Sequence, residues 1–102
     1  RQMCKETGDI APDLARYIIE FAFGQIYERP GLSLQERELL TLSSLLTAGG
    51  CEAQLQVHIN AALHVGIKEE KIIEAFLHCI PYTGFPKVLN AVAVAGQIFS
   101  GK

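Results

Sequence analysis

The chain has 102 residues, room for one domain with a core that it buries only in part. Its composition is 49% hydrophobic with a mean hydropathy of +0.21. A helical domain of this size then has apolar surface left over, and a helix-mediated homo-oligomer is expected. The net charge is −2 and the nine basic residues are scattered, which excludes the basic stripe that nucleic-acid binding needs.

The predicted elements are helical throughout. Residues 12–27 carry Leu14, Tyr17, Ile18, Phe21 and Ile26 at spacings near three and four, the pattern of one amphipathic helix. Arg29-Pro30-Gly31 breaks it. Ser33-Leu34-Gln35-Glu36 has the form of a capping box and opens a second helix to about residue 47, with Leu39, Leu40, Leu42, Leu45 and Leu46 expected to be buried. Gly49-Gly50 ends that helix. A third is predicted over residues 51–65, stopped by Gly66, and a fourth over residues 68–79, with Glu69 and Glu70 near its positive dipole end. Residues 82–86 read as a turn, and Pro86 suits the first position of a last helix reaching about residue 100. No strand pattern, repeat or linker interrupts this order. The reading is all-α, about five helices, in one domain over residues 1–102.

No apolar run is long enough to span a bilayer. The first residues, Arg1-Gln2-Met3-Cys4-Lys5, lack the apolar core of a signal peptide. Three cysteines, an odd number, fit reduced thiols better than a disulfide framework. A cytoplasmic protein without membrane partners is the expectation.

The residues able to carry chemistry concentrate in Cys51-Glu52-Ala53-Gln54-Leu55-Gln56-Val57-His58. Seven residues are nearly two helical turns, so Cys51 and His58 share a face with Gln54 and Leu55 between them. A thiol at a helix N-terminus feels the positive dipole end. Spacing alone leaves both a functional and a packing role open for each. Glu36, Arg37 and Glu38 open the second helix. A carboxylate beside an imidazole fixes its tautomer and raises its basicity, and Arg37 or Arg29 has the fork geometry to hold a carboxylated substrate. His64 and His78 read as surface or helix-end residues. The histidines share no short ligand spacing, so no metal site is expected.

In their order and spacing, Ala11-Pro12-Asp13-Leu14, Phe23-Gly24, Arg29-Pro30-Gly31-Leu32-Ser33 and Arg37-Glu38-Leu39-Leu40-Thr41-Leu42 resemble the carboxymuconolactone decarboxylase family. The resemblance continues through His58, Ala61-Ala62-Leu63, Gly66, Glu70, Ile73-Glu74, Tyr82-Thr83-Gly84-Phe85-Pro86 and Asn90-Ala91, so that it covers residues 11–99. It implies an alkylhydroperoxidase D-like helical fold assembled as a hexamer, or a trimer, of intertwined dimers. It also implies a cofactor-free lyase that converts 4-carboxymuconolactone to 3-oxoadipate enol-lactone with loss of carbon dioxide. On that reading His58 is the general acid or base and Glu38 orients it. Arg37 or Arg29 binds substrate carboxylate, and Tyr82 lines the pocket.

Two departures qualify the match. The peroxidase branch of the superfamily carries Cys-x-x-Cys-x-x-x-His, and Gln54 occupies its second cysteine position. The Glu38-to-His58 interval is also one residue longer than the family's, with the extra residue near Gly49-Gly50. Two alternatives accompany the lyase reading. One is a thiol-dependent peroxidase using Cys51, resolved by Cys79, Cys4 or an external thiol. The other is a non-catalytic oligomeric binding module in which His58 and Cys51 only pack.

Overall fold

A computed structural model describes residues 9–101; Cys4 lies outside them. No described residue is in a strand. The chain divides into a first unit ending at Ser33 and a second beginning at Leu34.

In the first unit, α1 (Pro12–Tyr17) begins with a proline, whose missing N–H falls where helices have no internal acceptor. It continues as a π-helical segment, Ile18–Ile26, closed by a bond from the Tyr27 amide to the Ala22 carbonyl at 2.9 Å. The predicted single amphipathic helix is therefore corrected in its winding. A turn closed at i+5 moves later side chains out of the 3.6-residue phase. Neither segment has a fully buried side chain, and Leu14, Tyr17, Phe21 and Ile26 are exposed.

The second unit holds α2 (Leu34–Ala48), α3 (Glu52–His64), α4 (Glu69–His78), the single-turn α5 (Ile80–Thr83) and α6 (Phe85–Ser100). Helix α2 packs on α3, α4 and α6, while α6 also packs on α3 and α4. Their common core contains Leu42, Leu46, Leu55, Ile59, Ile72 and Phe76, all essentially without exposure. Leu39 and Leu45 border it. Leu40, expected inside, is more than half exposed, because it lies about 200° around the helix from Leu42. The predicted turn over residues 82–86 is partly helical: α5 ends at Gly84, whose φ of 99° is a left-handed conformation suited to glycine, and α6 starts at Phe85, with Pro86 following in its first turn. Phe76 is the largest of the fully buried side chains. Phe76→Ala is expected to cost about 3–5 kcal/mol of unfolding free energy in urea titration; a cost below about 1 kcal/mol would contradict this core assignment.

Candidate active site

Helices α2 and α3 run antiparallel, with the start of α2 beside the end of α3. Gln35 Nε2 donates to the Val65 carbonyl at 3.0 Å. At the other end Gly49 and Gly50, with φ of 77° and 68°, form the connecting turn. These left-handed conformations are open to glycine at little cost. A Cβ at Gly49 would also lie 3.1 Å from Lys87 Cε, so the lysine side chain would have to shift by a few tenths of an ångström. Lys87 reaches over from α6, and its Nζ donates to the Thr47 carbonyl at 3.0 Å. This places a cation on the last carbonyls of α2, where the helix dipole favours it. Thr47 and Thr83 share a hydroxyl hydrogen bond of 3.0 Å beside it. The register of α2 against α3 is thus held at both ends.

Between these ends, His58 Nδ1 lies 3.1 Å from Glu38 Oε1. The side chains are 15% and 6% exposed, respectively. Glu38 is the buried charged residue among the described ones, and a buried carboxylate needs such a partner. An ionised carboxylate only accepts hydrogen bonds, so the contact places a hydrogen on Nδ1 and leaves Nε2 for exchange with a ligand. The expected pairing of Glu38 with His58 is present.

The other expected residues are placed differently. Arg37 is half-buried on α2 next to Glu38, and its carbonyl accepts from Thr41 Oγ1 at 2.9 Å. Arg29 is exposed and belongs to the first unit. Tyr82 on α5 is 80% exposed, and its ring contact is His78, at 5.7 Å between centroids. Cys51 is the N-cap residue of α3 but makes no side-chain cap bond. Its Sγ donates instead to the Gly49 carbonyl at 3.4 Å. Cys79 is buried, with Sγ donating to the Ala75 carbonyl at 3.4 Å. His64 and His78 are exposed in the last turns of their helices.

Sequence reasoning missed Lys87, which lies forty residues from its acceptor; no local pattern marks such a contact. An open groove of about 340 Å³ is lined by Gln56 and Asn60 of α3 with Val94, Gln97, Ile98 and Gly101. Gln56 and Asn60 are each two positions from His58, about 200° around α3, so the groove faces away from the Glu38–His58 pair. No group of three or more metal-ligating side chains assembles among the described residues, and none of their helices is long and apolar enough to cross a membrane.

Comparison with known proteins gives this geometry a context. Residues 12–97 match the model of the carboxymuconolactone decarboxylase family. The chain is 34% identical over 95 residues to the 4-carboxymuconolactone decarboxylase of Acinetobacter baylyi, covering 93% of this chain and 70% of that protein. It is 38% identical over 77 residues to the nitrosuccinic acid decarboxylase of Metarhizium robertsii, covering 76% of this chain and 53% of that one. A 15.0 kDa protein of Paracoccus denitrificans, encoded between nqo9 and nqo10, is 26% identical over 92 residues, 89% of this chain and 69% of that protein.

Proposed function

The chain belongs to the carboxymuconolactone decarboxylase family, and on that premise we propose that it is a cofactor-free carboxy-lyase. Its substrate is 4-carboxymuconolactone or a similarly small carboxylated lactone, and His58 is the general acid. The observation that carries this reading is the buried 3.1 Å contact between His58 Nδ1 and Glu38 Oε1. Two of the relatives are named as decarboxylases acting on small carboxylic acids, which supports the reaction class.

The chemistry asks for one proton. When the bond from the ring carbon to the carboxylate breaks, carbon dioxide leaves and the bonding pair moves through the ring double bond onto the lactone carbonyl. The carbon next to that carbonyl then takes a proton from Nε2 of the doubly protonated His58 ring. The ring is left as the neutral tautomer with its hydrogen on Nδ1 and recovers the Nε2 proton from water. Glu38 accepts from Nδ1 in both forms, so Nε2 stays aimed at the reacting carbon. Arg37, beside Glu38 on α2, is the arginine we assign to a substrate carboxylate. The expected homo-oligomer belongs to the same proposal, supported by Phe85 and Leu89, which are 64% and 63% exposed on α6.

The test is loss of ring absorbance with release of carbon dioxide. Muconolactone, which lacks the departing carboxyl group, serves as the control. Turnover of the carboxylated lactone alone is the expected result; a folded protein that leaves it untouched would remove this substrate. The thiol reading has less support, because Gln54 stands where a second thiol would act and the Cys51 thiol is turned to the Gly49 carbonyl. Cys51→Ser is therefore expected to keep lactone turnover within about twofold, the change usual for a group outside the reacting atoms. A loss beyond tenfold, or peroxide consumption that vanishes with the substitution, would favour the thiol instead.

A further inference from the structure

We propose that Gln54 is a second catalytic group of this site, its carboxamide N–H donating to the lactone carbonyl oxygen as negative charge arrives there. The inference rests on the decarboxylase reading above. It starts from what α3 offers beside His58. Along that face Cys51 and Gln54 precede the imidazole, and Ala61 and Val65 follow it. The Cys51 thiol is directed to the Gly49 carbonyl, and His58 Nδ1 is held by Glu38. No lysine or arginine lies between Glu52 and His64. Gln54, half-buried one turn before His58, is the neutral donor of this face. A carboxamide has two N–H bonds and a carbonyl, so an internal contact does not exhaust it.

Position and chemistry agree. Residues four apart on a helix have Cβ atoms about 5–6 Å from each other, so the carboxamide and the imidazole can reach one small ring together. The two atoms to be served, the carbonyl oxygen and the carbon that takes the proton, are only two bonds apart. A cation on the departing carboxylate would stabilise charge that the transition state removes. A neutral donor on the lactone carbonyl meets charge only as the carbon–carboxylate bond breaks, so it lowers the barrier rather than the ground state.

The experiment compares Gln54→Leu and Gln54→Glu with wild type. Gln54→Leu is expected to lower kcat for 4-carboxymuconolactone by about tenfold to a hundredfold while KM changes less than about threefold, the signature of a contact made in the transition state. Gln54→Glu has nearly the same shape but only accepts when ionised, so it should lose at least as much. A purely packing residue would tolerate Glu differently from Leu in thermal stability but would not produce this kcat-against-KM split. Retention of wild-type kcat in Gln54→Leu overturns the proposal. If wild type does not turn the lactone over, the decarboxylase reading fails, and side-chain amide NMR with muconolactone decides the role of Gln54. Carboxamide signals that shift on titration, with binding weakened in Gln54→Leu, support the contact; unmoved signals overturn it.

Discussion

Replacing His58 with asparagine is expected to lower kcat for the carboxylated lactone by about 10²- to 10⁴-fold, the range that a positioned general acid contributes. Asparagine is preferred to alanine because Glu38 lies across from it at 5% relative exposure. His58→Ala would leave that carboxylate without its partner, and breaking a buried pair from one side costs roughly 3–5 kcal/mol. Asparagine keeps an N–H for the carboxylate but has no Nε2 to deliver a proton. Circular dichroism is expected to show a folded helical protein, so the kinetic loss reports chemistry. Turnover within a few-fold of wild type would show that His58 is not the acid.

The second large effect is expected at Glu38. Glu38→Gln preserves the shape of a side chain whose carboxylate lies 3.1 Å from His58 Nδ1, yet a carboxamide can also donate. It can then accept the other imidazole tautomer, with the hydrogen moved from Nδ1 to Nε2 and the charged form of the ring no longer matched by a carboxylate. We expect kcat to fall by roughly 10²-fold or more, within the span attributed to acid–base groups, with a smaller change in KM. Nitrogen chemical shifts of the His58 ring provide the independent readout. Protonation at Nδ1 in wild type and its loss in Glu38→Gln would link the kinetics to the tautomer. Identical shifts in both proteins would separate Glu38 from that role.

The pair was legible in the sequence through the family resemblance, since spacing alone left a packing role open for His58 and a solvated helix start for Glu38. Glu38 stands among leucines at helical spacing, where Leu42 and Leu46 prove to be core. His58 lies between Leu55 and Ile59, both buried. The Gly49-Gly50 breaker was legible as well, although not the positive φ angles by which it turns the chain. Leu40 shows where a leucine-rich run misleads: five leucines fit the composition of a core, but the angle around the helix leaves one outside. The π winding of Ile18–Ile26 depends on which carbonyl each amide selects, a choice that apolar spacing does not encode. Lys87 falls outside sequence reasoning for another reason: it makes its contact across forty residues, a relation with no local trace. Tyr82, expected on the resemblance to line the pocket, is exposed, with its ring near that of His78 four residues earlier.

The central claim is that Glu38 and His58 act as one catalytic unit on a carboxylated lactone. A double-mutant cycle on kcat with 4-carboxymuconolactone tests it most directly, using wild type, His58→Asn, Glu38→Gln and the double substitution. The expected result is that the double variant is no slower than His58→Asn alone, because Glu38 acts only through the imidazole. Losses that multiply, or a His58→Asn protein that turns the lactone over at the wild-type rate, would contradict the claim.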